Sequence, residues 1–136
     1  MLSYLKQLKW DLSSKYGRLL YYSSFIREIP GIFGEKIREN VYKKYFMECG
    51  ENITIYQGVR FRGIHKLQIG NNVHIGVDNF IQASGGVSIG NNVLLGPGVK
   101  IWSVNHSSNL LDVPIFDQGY EYSSVEIADD VWLGAN

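Results

Sequence analysis

Residues 67–86 read LQIGNNVHIGVDNFIQASGG, and residues 87–106 read VSIGNNVLLGPGVKIWSVNH. Residues 125–136, VEIADDVWLGAN, begin the same pattern a third time. Aliphatic residues recur every six positions: Ile69, Ile75 and Ile81, then Ile89, Leu95 and Ile101, then Ile127 and Leu133. The fifth position of each hexad is Val or a small residue: Val73, Asn79, Gly85, Val93, Val99, Asn105 and Val131. A period of six matches neither the 3.6 of a helix nor the two-residue alternation and 8–12-residue turn spacing of a sandwich. It fits short strands joined by corners, each hexad forming one side of a triangular coil. The aliphatic and fifth-position side chains then point inward. The Gly-Asn and Asn-Asn pairs suit the tight backbone of the corners. Stacked coils bury a continuous column that no single coil could bury.

The motifs IGNNV-x-IG and DDVWLGAN resemble those of the hexapeptide-repeat acyltransferases, over residues 50–136. The resemblance implies a mainly β fold, a left-handed parallel β-helix, although the general crossover rule favours the opposite hand. The helical leader and its junction Cys49-Gly50-Glu51-Asn52-Ile53 resemble the branch that decorates polysaccharides and lipopolysaccharides.

The register has one large break. Ile69 to Ile89 spans one coil of three hexads plus two residues at Gly85–Gly86, whereas Ile89 to Ile127 spans about one coil more than that. The surplus is an insertion at about residues 107–124, SSNLLDVPIFDQGYEYSS. A long excursion from so regular a scaffold is usually functional. His106 stands at its root. The enzymes resembled place their catalytic histidine there, about one coil before the V-W-[IL]-G hexad, which is here Val131-Trp132-Leu133-Gly134.

The chemistry points to the same residue. Acetyl transfer from a thioester to an alcohol needs a base, because the hydroxyl is a poor nucleophile until its proton leaves. Imidazole, with a pKa near ~6.5, suits that role at neutral pH. The thiolate leaves readily, so no acyl-enzyme is required, and Cys49, outside the repeats and without a nearby histidine, is rejected as a nucleophile. Asp112, Asp117 and Glu121 in the loop are candidates to orient His106 or to bind substrate, and a backbone carbonyl would orient it equally well. Asn105, at an inward fifth position, is expected to pack or cap a corner.

The resemblance implies acetyl-coenzyme A as co-substrate, with Ala135 along the coenzyme and Trp132 in the wall nearby or in subunit packing. It also implies a homotrimer with sites between subunits. The asparagine and acid with which the galactoside and maltose branch holds its sugar fall on Gly76 and Ser84, so that acceptor is not expected. Asp78 and Asn79 lie close by as substitutes. No metal is expected: His65 and His74 are nine apart in sequence and far from His106.

Lys plus Arg and Asp plus Glu both number 13, and nothing in the bulk charge suggests nucleic acid. The zero is a cancellation. Residues 1–49 carry nine basic and five acidic residues, a net of +4, and residues 50–136 carry four and eight, a net of −4. The boundary falls between a helical segment, 1–49, and the β-helix, 50–136. Leu2, Leu5, Leu8, Leu12, Tyr16 and Leu19 form one helical stripe, and Pro30–Gly31 breaks it. Phe33, Ile37, Val41 and Tyr45 form a second stripe, with Glu39 and Lys43 paired on its exposed side and Gly50 as a stop. These stripes pack on the rest of the protein, or the basic aromatic leader lies on an anionic membrane surface. One cysteine and no signal peptide point to a cytoplasmic or membrane-peripheral location.

The expected function is O-acetylation of a sugar or a polysaccharide or lipopolysaccharide precursor. Alternatives are N-acetylation of an amino-sugar nucleotide or acetylation of a small molecule such as a drug or serine. A further alternative is a non-catalytic scaffold. The repeat stops inside a coil, at Leu133-Gly134-Ala135-Asn136, so a truncated product with an incomplete coenzyme groove is expected.

Overall fold

The computed structural model describes residues 2–136. Three helices come first: α1 (Leu2–Ser13), α2 (Lys15–Ile26) and α3 (Gly31–Tyr42). Short strands follow: β1 (Glu48–Cys49), β2 (Ile53–Ile55), β3 (Arg60–Arg62), β4 (Leu67–Ile69), β5 (Val73–Ile75), β6 (Phe80–Gln82), β7 (Val87–Ile89), β8 (Val93–Leu95) and β9 (Lys100–Trp102). The chain then runs through β10 (Val104–His106), β11 (Tyr120–Tyr122), β12 (Val125–Ile127) and β13 (Trp132–Leu133). Three parallel sheets, β1-β4-β7-β12, β2-β5-β8-β13 and β3-β6-β9, form the sides of the prism. This is the triangular coil that the hexads imply, and the left-handed parallel β-helix that the resemblance implies.

The register stacks equivalent positions of successive coils. Ile69 faces Ile89, which faces Ile127, and Ile75 faces Leu95, which faces Leu133. Ile55, Leu67, Val73, Ile75, Ile81 and Val93 are fully buried in the resulting column. Each such side chain contributes about 1.5–3 kcal/mol through removal from water. The first coil, residues 48–66, lacks the IGNN signature yet pairs in the same register, Ile53 with Val73 and Ile55 with Ile75.

The IGNN motif has a physical reading, position by position. A Cβ on Gly70 would lie 2.7 Å from the Gly90 carbonyl of the next coil, so the backbones touch only without one. The first Asn caps its neighbour: Asn91 Oδ1 accepts from the Asn71 backbone N–H at 2.8 Å, and Asn71 Oδ1 accepts from Glu51 N–H at 2.8 Å. The second Asn turns the corner in the left-handed region, at φ 57° for Asn72 and 56° for Asn92, which Asn tolerates better than most residues. Asn52, Asn72 and Asn92 also form a side-chain ladder, with Nδ2 to Oδ1 distances of 2.9 Å at each step. The third repeat substitutes acids at both places. Asp129 Oδ1 accepts from Asn91 N–H at 2.6 Å, and Asp130 adopts φ 59°.

The leader differs from its expected form in three ways. The first stripe is not one helix. Ser14 is extended (φ −95°, ψ 151°) and its hydroxyl accepts from Gly17 N–H at 2.8 Å. It therefore caps a second helix. Of that stripe Leu19 is buried, while Leu5, Leu8, Leu12 and Tyr16 remain exposed. In α3 the buried face is Gly34, Arg38 and Tyr42, one position on from the expected Phe33 stripe, and Phe33 itself is exposed. Glu39 pairs with Lys36 (2.9 Å), and the helix ends at Tyr42, before Gly50.

Arg38 explains the rotation. Its side chain is 1% exposed. Nε donates to Ile55 O of β2 at 2.8 Å, and one terminal nitrogen reaches the carbonyls of Ile26 (3.2 Å), the last residue of α2, and of Arg27 (3.3 Å) and Ile29 (2.6 Å) just beyond it. The guanidinium therefore closes the C-terminus of α2, where the helix dipole favours a cation, and ties both helices to the first coil. Burial lowers its pKa, opposed by the field of Glu35, and arginine remains charged. Tyr42 packs edge-on against Phe61 at 5.0 Å, and burial pushes its phenol up to about 12.

Candidate active site

The insertion is a hairpin. β10 and β11 pair antiparallel, with Val104 opposite Tyr122, Asn105 opposite Glu121 and His106 opposite Tyr120. His106 thus belongs to the stem of the arm. The Tyr120 ring, directly across the ladder, lies 4.6 Å from the imidazole at 40°. Ser107 N–H donates to Gly119 O at 3.2 Å, closing the next rung.

Ser103 anchors the stem to the coil. It is 2% exposed. Its Oγ donates to Gln82 O (2.7 Å) and accepts from Gly85 N–H (2.9 Å), while its carbonyl accepts from Ser123 N–H (3.1 Å) on the returning leg. Both legs therefore hang from one buried residue. A Cβ on Gly85 would overlap the Ser103 carbonyl oxygen. Gly85→Ala is expected to destabilise the protein by about 1–3 kcal/mol, read as a lowered urea midpoint with an unchanged slope.

Gln118 shapes the tip. Its Nε2 donates to Leu110 O (2.8 Å) and Val113 O (2.6 Å), and its Oε1 accepts from Leu110 N–H (3.0 Å). Leu111 at 99% exposed and Phe116 at 92% protrude from this frame. Gln118→Ala removes three bonds from a loop with little packing to replace them. The expected result is faster protease cleavage within residues 108–117 and an unchanged melting temperature of the coil, because the arm is a separate local unit.

The candidate residues do not all meet. Asp112 and Asp117 are exposed on the arm and make no side-chain hydrogen bond among the described residues; Glu121 accepts from Asn109 Nδ2 at 2.9 Å. None of the three is hydrogen-bonded to His106, whose ring is instead packed by Tyr120. Asn105 is exposed, because the chain leaves the prism before its inward position is reached; its Oδ1 accepts from His106 N–H at 3.0 Å. Asn79 is fully buried, its Nδ2 donating to Gly76 O (2.9 Å) and Gly96 O (2.7 Å). It braces two coils and has no surface for a ligand. Asp78 is an exposed corner residue at φ 57°. Trp132 and Ala135 are exposed on the last coil, where Trp132 pairs with Leu94 and Leu94 with His74 across the second sheet. Burial pushes the Cys49 thiol up, the wrong direction for a nucleophile. Among the described residues no three His, Cys, Asp or Glu side chains converge on a metal position.

Tyr120 and Gln118 are the residues that sequence reasoning passed over as participants. The signal for Tyr120 is the alternation Tyr120-Glu121-Tyr122 after Gly119, which mirrors Val104-Asn105-His106 and marks the second leg of a hairpin.

The coil, its asparagine corners and the inserted hairpin define a hexapeptide-repeat β-helix protein. No protein-family profile matches the chain. A protein of Mycobacterium tuberculosis, named a probable acetyltransferase, is 35% identical over 68 residues, 50% of this chain and 23% of its own length. A protein of Dictyostelium discoideum, also given the acetyltransferase name provisionally, is 28% identical over 105 residues, 71% of this chain and 50% of its own. The chain therefore spans half or less of these relatives. The crystal structure of a hexapeptide-repeat containing acetyltransferase from Vibrio cholerae superposes with a TM-score of 0.70 at 21% identity, over 96% of this chain and 69% of that one. That likeness establishes the fold.

Proposed function

We propose that this chain carries the catalytic histidine of an acetyl-coenzyme A-dependent O-acetyltransferase acting on a sugar hydroxyl. The observation that carries the reading is His106, exposed at the stem of the arm that interrupts the coil and packed against Tyr120. The likeness to proteins named as acetyltransferases supports the reaction class. In this reading the His106 imidazole takes the hydroxyl proton as the oxygen attacks the thioester carbonyl. The C–O bond forms, the tetrahedral oxyanion is met by backbone N–H groups, and the C–S bond breaks to release coenzyme A thiolate, which takes up a proton.

The assembly is a homotrimer with Trp132 and Ala135 beside the coenzyme, and light scattering that gave a monomer would count against shared sites. The acceptor is a polysaccharide or lipopolysaccharide precursor. Exposed Tyr4, Trp10 and Phe25, beside Lys6 and Lys9, support peripheral contact of α1 and α2 with an anionic membrane. No helix among the described residues is long and apolar enough to cross one.

The test is product analysis. Thiol release should match the acetyl gained by a sugar, and that acetyl should leave in mild alkali as an ester does. An alkali-stable amide would replace this reading with N-acetylation. Thiol release without any acetylated acceptor would overturn it.

A further inference from the structure

A groove of 810 Å³ lies between α1–α2 and the outer face of β3-β6-β9, with Trp10, Asp11, Arg60, Arg62, Phe80, Gln82 and Ser84 in its walls. Three features of it are unexplained by packing. The first is Gln82, 7% exposed. Its side-chain oxygen accepts from Ser84 Oγ (2.7 Å) and from the Ser84 backbone N–H (3.2 Å). A backbone N–H can only donate, so the amide orientation is assigned by its partner. The Nε2 donor is left without a partner among the described residues, fixed at the groove wall.

The second feature is charge. Arg60 and Arg62 project outward from β3 and form no ion pair among the described residues. Arg27 is engaged by Glu28 at 2.9 Å, and Glu28 also feels Arg60. Asp11 is the acid of the groove wall and accepts from Tyr21 Oη at 3.2 Å. The third is an aromatic shelf that runs out of the groove: Phe80 in the wall stacks at 5.1 Å and 24° on Trp102, which lies outside the lining on the next strand and is 55% exposed although an indole of its size is usually covered.

The shelf leads toward the arm. Lys66 Nζ donates to Ser84 O at 2.9 Å and lies 5.9 Å from the Tyr122 ring. Tyr122 neighbours Tyr120, whose ring abuts His106. Groove and histidine are thus joined by a continuous run of side chains, while His106 itself is outside the groove.

We infer that the groove is a subsite for a saccharide bearing an anionic group, phosphate or carboxylate, which holds the acceptor chain beyond its reacting sugar. The role as acceptor subsite rests on the proposed acetyl transfer. A flat apolar sugar face suits the Phe80–Trp102 shelf, ring hydroxyls suit the Gln82 amide, and the anion suits the Arg60–Arg62 pair through charge-assisted bonds.

The test is calorimetric titration of the whole chain, without acetyl donor, with glucose 1-phosphate, glucuronate, methyl glucoside and inorganic phosphate. Glucose 1-phosphate, glucuronate or both are expected to bind about tenfold or more tightly than methyl glucoside and phosphate, one charge-assisted contact being worth that much. Which of the two binds more tightly identifies the anion. Arg62→Ala and Trp102→Ala should each weaken that binding about tenfold. Both positions are exposed, so the melting temperature should not move. Lys43→Ala, which removes the same charge outside the groove, should leave binding unchanged. Equal affinity for neutral and anionic sugars, phosphate binding as tightly as the sugar phosphate, equal loss in Lys43→Ala, or no binding at all overturns the subsite. None of these outcomes bears on acetyl transfer, and an inactive chain that still bound these sugars would overturn only the proposed reaction.

Discussion

Replacing His106 by Ala is expected to lower acceptor-dependent thiol release from acetyl-coenzyme A by about 10²- to 10⁴-fold, the usual worth of a positioned general base. The side chain is exposed and makes no hydrogen bond among the described residues. Its loss removes a proton acceptor and the Tyr120 contact, and no buried contact of the core. The melting temperature should therefore stay within a degree or two of the parent, since exposed substitutions rarely cost more than ~0.5 kcal/mol. Binding of acetyl-coenzyme A should survive as well, because the coenzyme residues of the proposal, Trp132 and Ala135, lie on the last coil and not on the arm. The measurement is turnover at saturating donor beside calorimetric donor binding. A variant that kept near-parental turnover would exclude His106 as the base.

Arg38→Met is expected to cost about 2–4 kcal/mol, because hydrogen bonds from a charged donor, each worth about 1.5–3 kcal/mol and not additive, are lost together. The methionine fills the space but donates nothing to the carbonyls of Ile26, Arg27, Ile29 and Ile55; those of Ile26 and Arg27 keep the backbone N–H groups of Ile29 (3.4 Å) and Gly58 (3.2 Å), so the loss falls mainly on Ile29 and Ile55. Against a total stability of roughly 5–15 kcal/mol this is a large fraction. The loss should be local at first. The aliphatic column of the coils does not involve Arg38, whereas α2, α3 and the first coil meet at it. Hydrogen exchange should show lost protection in residues 19–42 before any change in residues 67–101. Arg38→Lys should recover little, because an ammonium is a compact charge and cannot reproduce the forked reach of a guanidinium. Unchanged exchange in α2 and α3 would show that the helices are held by apolar packing alone.

These two residues also show how far position is legible in sequence and where that stops. The place of His106 at the root of the arm was legible because the coil is so regular that the point where it fails stands out. Its neighbours were less legible. Asp112, Asp117 and Glu121 are close to it in sequence, but an antiparallel stem brings together residues by ladder register. That places Tyr120 opposite His106 and sends the acids to the outside of the arm. Asn79 and Asn105 occupy the same position of their hexads, yet one is buried and the other exposed. The repeat alone cannot distinguish them, because only the departure of the arm after Ser103 decides which one has a coil to point into.

Arg38 shows the complementary limit. A charged residue on a helix reads as the solvent side, so the apolar stripe Phe33, Ile37, Val41 and Tyr45 was the natural inward face. The helix sits about one position rotated from it because carbonyl groups near the end of α2 and on β2, those of Ile29 and Ile55 above all, take the Arg38 guanidinium as donor, and that need appears only once the elements have docked. The IGNN corners required no such context. Gly, Asn and the six-residue period each meet a local requirement: backbone contact, left-handed φ, or an inward aliphatic. The coils repeat those requirements identically, so the pattern alone was enough to specify the β-helix and the interruption that exposes His106. What packs around that histidine, which face of α3 is inward, and the cationic groove over β3 and β6 come from contacts between residues distant in the chain. Such contacts are set by the register of a ladder and the satisfaction of buried polar groups, and neither is written in any single stretch of sequence.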